Sequence, residues 1–267
     1  MTGAVETAGS ANWSLKEDIR DYWSRRAATF DAAVGHRIPP GAERDAWTAL
    51  LRRLLGSDPL EVLETACGTG EVTGVLAGCG HRVTGLDFSE AMVARAREKH
   101  RGDPRVRILL GDAENTLEPD RTYDAVVCRH LVWTLTDPEA ALRDWHRVLK
   151  PGGQLVVFDG DFVRLPWQGQ LARKGIGWID RWTGASPHRH PDFAEQHDRI
   201  LGSLPFADGL NFETLRPLAE AAGFGAVRDA GYGSITRAQR RVARSPQNWL
   251  RTWTYRRFVL SAVRPRA

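Results

Sequence analysis

Val62-Leu-Glu-Thr-Ala-Cys-Gly-Thr-Gly70 is a short apolar run that passes directly into glycines. Such a run, bounded by turn residues, reads as a strand buried in a parallel sheet. The apolar segment 72–77 continues as a helix, so the glycines form the bend between the two elements. In open α/β sheets that bend lies at the carboxyl edge, where ligands bind. Glycines there let backbone approach the ligand, and the next helix presents free N–H groups.

Working outward, strand and helix signals alternate. His81–Leu86 reads as a strand closed by Asp87, and Ser89 caps a helix running to about His100. Further strands span 106–110 and 123–128. Pro138 opens a helix on which Ala141, Leu142, Trp145, Val148 and Leu149 share one face. Pro151, Gly152 and Gly153 stop it, and 154–158 is a strand. A helix over 212–222 and strands over 226–230 and 258–263 complete the pattern. This predicts an α/β fold: a Rossmann-like, doubly wound, seven-stranded and mostly parallel sheet.

Residues 161–210 break the rhythm with prolines and tryptophans and read as an inserted cap. Upstream, Ile19, Tyr22, Trp23, Ala27 and Phe30 place aromatic residues on one helical face. Residues 31–41 form a loop, and Trp47, Leu50, Leu51, Leu54 and Leu55 mark a second amphipathic helix. The expected organisation is a disordered tail over 1–12 and one domain over 13–267, with helices from 13–56 above the ligand site.

The chain has 267 residues, 42% hydrophobic and 26% charged, an ordinary globular balance that excludes disorder of the body. Its net charge is +4, with lysine only at Lys16, Lys99, Lys150 and Lys174. Arginines cluster from Arg237 to Arg257 among Trp249, Trp253 and Tyr255. We read them as a solvated face, so nucleic acid is not an expected partner. Cys67, Cys79 and Cys128 are too few and too irregular for a disulfide framework or a zinc site. His188, His190 and His197 lack carboxylate or thiolate partners at ligand spacing, so no metal is expected. No apolar run reaches the ~20 residues of a membrane span, and no charged and apolar leader opens the chain. The expectations are a cytoplasmic protein, no membrane partner, and a monomer or homodimer.

Asp87 closes the strand after the glycine bend, where a carboxylate can accept hydrogen bonds from both hydroxyls of a ribose. A dinucleotide and S-adenosylmethionine (SAM) both fit that statement. The third small residue of a dinucleotide fingerprint is replaced by Thr73, with Gly74 one step late, which weakens the dinucleotide reading. The bend alone does not choose between them.

Its neighbours do. Leu63-Glu-Thr-Ala-Cys-Gly-Thr-Gly70, Val83-Thr-Gly-Leu-Asp-Phe-Ser-Glu-Ala-Met92, Gly111-Asp-Ala-Glu114, Tyr123-Asp-Ala-Val-Val-Cys-Arg-His130 and Val148-Leu-Lys-Pro-Gly-Gly153 stand in this order. Together they resemble the class I SAM-dependent methyltransferase family, in particular its small-molecule branch of ubiquinone and menaquinone methyltransferases. The resemblance runs from about Tyr22 to Phe158. It implies that Ala66, Cys67, Gly68 and Gly70 line the methionine end of SAM, with Glu64 near the amino group and Asp87 on the ribose. Phe88 and Met92 would sandwich the adenine, Asp112 and Ala113 would read its amino edge, and Arg129 would set backbone beside the methionine moiety. Tyr22 and Arg26, in the leading helix, would contact the SAM carboxylate. The family usually has glycine where this chain has Ala66, which implies a negative φ there.

The expected activity is methyl transfer to an oxygen, nitrogen or carbon atom of a small-molecule acceptor, such as a natural-product intermediate. Alternatives are an RNA or protein methyltransferase using the arginine-rich segment, and a non-catalytic SAM-binding module. If the acceptor must lose a proton, His130 is the first candidate base because it lies just past the fourth strand. His36, Asp159 and Asp161 come next, in loops at the same rim. Trp133 and Trp167 are the leading candidates for an acceptor pocket, ahead of Trp178 and Trp182. Cys67 is expected only as a small residue beside the ligand.

Overall fold

The computed structural model describes residues 8–32, 35–183 and 191–266. In chain order its elements are α1 (Ala8–Arg26), α2 (Ala42–Leu55), β1 (Glu61–Thr65), α3 (Glu71–Gly78), β2 (Arg82–Asp87), α4 (Glu90–Lys99), β3 (Val106–Leu110), β4 (Tyr123–Arg129), α5 (Pro138–Val148) and β5 (Leu149–Asp161). Next come α6 (Trp167–Thr183), α7 (Pro191–Gly202), α8 (Phe212–Ala221), β6 (Gly225–Asp229), α9 (Gly233–Val242), α10 (Pro246–Arg251) and β7 (Arg256–Val263).

Among the described residues the strands form one seven-stranded sheet in the order β3-β2-β1-β4-β5-β7-β6. All neighbours are parallel except β7, which runs antiparallel to β5 and β6. The direction of winding reverses between β1 and β4, and a crevice must open at their carboxyl ends. Both faces of the sheet are covered. Trp145 of α5 centres one core with Leu63, Val126, Leu155 and Leu215, and Trp47 of α2 centres the other with Val62, Val127, Phe158 and Ile235. Coverage on both faces explains why Ala125–Cys128 is apolar at every position and fully buried.

Helix starts obey local chemistry. Ser89 accepts from Met92 N to cap α4, and Asp137 accepts from Ala140 N to cap α5 with Pro138 in the first turn. Asn211 and Thr214 form a reciprocal capping box on α8.

The structure differs from the sequence reading in several places. The chain is already helical at 8–12, inside the stretch expected to be a tail, and α1 ends at Arg26 rather than Phe30. Strand β5 begins at Leu149, because the Pro151-Gly152-Gly153 bend is held to the end of β7 by Gly152 N to Arg264 O and Arg264 N to Gly153 O, each 2.8 Å. Helices α9 and α10 lie in the arginine-rich stretch, where the sequence pattern predicts none. Within 161–210, α6 packs on α10 and α7 on α1. No helix among the described residues is long and apolar enough to cross a membrane.

Candidate active site

A crevice of about 1030 Å³, its open mouth included, runs along the carboxyl ends of β1, β2 and β4. Its floor is the bend after β1. Gly70 has φ +83°, and a Cβ there would sit 2.6 Å from Nε2 of His100, which donates to Gly70 O (2.8 Å). Only glycine fits that position. Ala66, by contrast, has φ +54°, so the expectation of a negative φ is overturned: the bend keeps the left-handed form, and the alanine methyl bears the strain.

Asp87 ties the bend to the next helix. Its Oδ2 accepts from Gly68 N at 2.8 Å and its Oδ1 from Ser89 N at 2.9 Å. Burial pushes its carboxyl up to about 6 despite these amides. The Phe88 amide also stands against this carboxylate, and the lone pairs left over can accept from a ligand hydroxyl. Glu64, beneath the bend, accepts from Thr73 Oγ1, and burial pushes it up to about 8. Burial also raises the thiol of Cys67, so it is a small neutral wall and not a nucleophile.

At one end the crevice is lined by Phe88, Met92, Asp112 and Ala113. The loop after β3 is fixed by Trp145 Nε1 donating to Ala113 O (2.8 Å) and by Glu114, whose Oε1 accepts from Thr136 N (2.6 Å) and Asp137 N (3.1 Å). Helix α1 closes over this end. Lys16 reaches Asp112 Oδ2 at 2.7 Å and Glu114 Oε2 at 2.6 Å. Ile19 and Trp23 join Lys16 in the lining, three residues of one helical face.

The other end is lined by Trp23, Phe30, His36, Arg129, His130 and Leu131. Thr69 Oγ1 donates to Asp31, Lys99 pairs with Asp31 and Glu71, and Ile38 N donates to Glu71 Oε2 (2.6 Å), so the segment before α2 is pinned to the floor. The Arg129 guanidinium donates to Gly35 O and His36 O (3.0 Å for His36) and stands 5.2 Å from the Trp47 ring. His130 has φ +54°, and its Nε2 is buried with no hydrogen-bond partner. Its ring lies 6.4 Å from that of His36 and 5.3 Å from that of Phe162. Burial, reinforced by Arg129, holds His130 well below the usual imidazole range and His36 at about 3. Both rings are neutral at physiological pH.

Of the residues singled out from sequence, the structure gathers Glu64, Ala66, Cys67, Gly68, Asp87, Phe88, Met92, Asp112, Ala113, Arg129, His36 and His130 around one crevice. Others lie elsewhere. Tyr22 and Arg26 are not in the crevice lining; they pair with each other (Nη1 to Oη 2.8 Å), with the Arg26 guanidinium 5.6 Å from the ring of the lining residue Trp23. Asp159 is not in the crevice lining: its oxygens accept from Val132 N and Gly160 N, each 2.9 Å, and it anchors the turn after β4. Asp161 likewise accepts from Val163 N and Arg164 N. Trp133 stands one layer back, donating to His130 O (3.1 Å) and packing edge-on against Trp23. Trp167 is excluded from the crevice altogether; it is exposed on α6, in a separate groove with Trp249 and Trp253. His188 and His190, and the side chain of His197, lie outside the described residues. Sequence reasoning missed Lys16, Phe30, Thr69 and Glu71. The i, i+3, i+7 spacing of Lys16, Ile19 and Trp23 was the available signal for the first.

A methyltransferase domain family matches residues 63–157, from β1 into β5. The chain is 30% identical over 185 residues to a 2-phytyl-1,4-naphtoquinone methyltransferase of Thermosynechococcus vestitus, covering 67% of this chain and 80% of that protein. It is 34% identical over 114 residues to a demethylmenaquinone methyltransferase of Clavibacter sepedonicus, a match spanning 43% of this chain and 45% of that relative. In fold it resembles phosphoethanolamine N-methyltransferase 2 of Haemonchus contortus, solved with S-adenosyl-L-methionine, at TM-score 0.63 and 17% identity over 92% of this chain and 60% of that one. With the glycine bend, the buried Asp87 carboxylate and the ordered segments set on one crevice, the chain belongs to the class I SAM-dependent methyltransferases.

Proposed function

We propose that this protein transfers a methyl group from SAM to an oxygen, nitrogen or carbon atom of a small aromatic acceptor of the quinol type. The observation that carries the reading is the polarity of the crevice. One end offers carboxylates and flat apolar walls suited to an adenosyl group, and the other offers aromatic rings and two neutral imidazoles. The residues present fit the cofactor: a bend that admits backbone at Gly68 and Gly70, and a buried carboxylate with lone pairs free. Glu64, Gly68, Asp87, Met92 and Asp112 would hold it. When bound it supplies a methyl group activated on a positively charged sulfur.

The chain itself contributes alignment and exclusion of water, effects that together can supply roughly 7–11 kcal/mol. Phe30, Trp23 and Leu131 wall the acceptor end. His130 Nε2, unpartnered, is an acceptor for the hydroxyl proton of a phenolic substrate. The positive charge of Arg129, with Arg26 and Arg257 nearby, favours the anionic form of that substrate. The names of the quinone-modifying relatives support the acceptor class. The unit acts as one domain over 13–267, with 161–210 as its cap, as a monomer or homodimer without nucleic acid.

Titration of the intact protein with S-adenosylhomocysteine, then incubation with methyl-labelled SAM and a panel of reduced naphthoquinones, tests this. Saturable binding and a labelled quinol are expected. Tight binding of a dinucleotide in place of S-adenosylhomocysteine would overturn it.

A further inference from the structure

Helix α6 is amphipathic in an unusual sense: it buries small residues and exposes large ones. Gly169 and Ala172 face inward, and a Cβ on Gly169 would overlap Thr254 O, so the helix lies hard against the chain between α10 and β7. On the opposite side Trp167, Leu171, Trp178 and Trp182 are between 59% and 81% exposed. At 3.6 residues per turn these four fall within a stripe about 60° wide. Trp249 of α10 extends the patch, and Trp167, Leu171, Trp249 and Trp253 share one shallow groove. A contiguous apolar surface of this kind marks an interaction site.

Charge identifies what it meets. Lys174 and Arg181 border the stripe along one edge, and Arg173 is exposed on the same helix. From Gly231 to Ala267 the chain carries arginines and neither aspartate nor glutamate. Two such faces repel each other, which disfavours a second copy. Trp178 and Trp182 stack on each other at 6.1 Å, leaving no slot for a base, and Leu171 offers nothing to one. Exposed tryptophan and leucine with a cationic border suit the headgroup boundary of an anionic bilayer.

We propose that the α6–α10 face is a membrane-docking surface, on which the tryptophan stripe enters the acyl boundary while Lys174, Arg181 and the neighbouring arginines meet anionic lipid headgroups. The helix that carries the face packs close to the acceptor end of the crevice: Gly169 lies against Thr254, the ring of the next residue, Tyr255, is 5.3 Å from that of Phe162, and Phe162 is 5.3 Å from that of His130. Membrane docking revises the expectation that no membrane is involved, and it stands on the surface alone, whatever the acceptor proves to be.

Co-sedimentation of the full chain with phosphatidylcholine vesicles, with and without phosphatidylglycerol, tests it. Binding is expected only to the vesicles containing phosphatidylglycerol. The pair Trp178→Ser and Trp182→Ser should weaken it about tenfold or more, and so should Lys174→Glu with Arg181→Glu. S-adenosylhomocysteine binding should be unchanged in both variants, which shows that the fold and the cofactor reading survive independently. Failure to sediment with either vesicle overturns the proposal, as does sedimentation indifferent to both variants. So does a dimer in sedimentation velocity that the tryptophan variant splits, or a salt-sensitive complex with single-stranded RNA that either variant abolishes.

Discussion

Ala66 and His130 occupy equivalent places at the ends of adjacent strands. Thr65 of β1 pairs with Cys128 of β4, and just beyond them each strand turns through a non-glycine residue at φ +54°. A left-handed residue other than glycine costs on the order of 1–2 kcal/mol, so strain stands on both sides of the switch point. Beyond these residues the two turns diverge. After Ala66 come Gly68 and Gly70, and the bend presents backbone, clamped by Asp87. After His130 comes a 3-10 turn over Val132–Thr134 clamped by Asp159, and the bend presents a side chain. One strand end is built to let a ligand approach the main chain, the other to hold an imidazole against it. Two buried carboxylates serve as the corresponding clamps, and of the two only Asp87 lines the crevice.

That contrast can be broken at its strongest point first. Asp87→Ala removes both the clamp and the proposed acceptor for two hydroxyls; at roughly 1.5–3 kcal/mol per hydrogen bond to a charged group, S-adenosylhomocysteine affinity should fall by about 100-fold or more in calorimetry. Unchanged affinity would mean that the main-chain side is not the cofactor side. His130→Ala keeps a left-handed non-glycine residue but deletes the imidazole. Turnover should fall about 100-fold with cofactor affinity retained, and a matching loss of affinity would erase the division of labour.

A pH series sharpens the comparison. Asp87 is pushed up to about 6 by burial, so it takes up a proton as pH falls through that value and loses lone pairs the ligand needs. Affinity should drop about tenfold per unit below about pH 6, separately from any change near 8 where Glu64 loses its proton, and the lower slope should vanish in Asp87→Asn. The smallest effect belongs to Ala66→Gly. Relief of the left-handed strain is offset by the entropy of glycine, so stability should rise by under about 1 kcal/mol, read as a slightly higher Tm. A clear fall would show that the alanine methyl packs usefully.

Much of the sheet was legible because buried parallel strands are apolar at every position, as at Ala125–Cys128, and because Gly70, Ser89 and Pro138 punctuate it. The crevice residues in the motifs were legible for the same reason: they sit at strand ends whose order fixes their location. Side-chain direction was not. Asp159 and His130 lie at the same rim, yet backbone amides capture the carboxylate, while the imidazole lines the crevice with its buried Nε2 unpartnered. Trp167 looks from sequence like a pocket residue, but Gly169 and Ala172 decide which face of α6 turns inward. Residues from α1 depend on long-range contacts, such as Lys16 with Asp112, that no local pattern announces.

That last ion pair has a consequence for charge. Lys16 brings one positive charge to two carboxylates, at 2.7 Å from Asp112 and 2.6 Å from Glu114, so this end of the crevice keeps a net negative lining and favours a ligand that donates hydrogen bonds over one that carries phosphate.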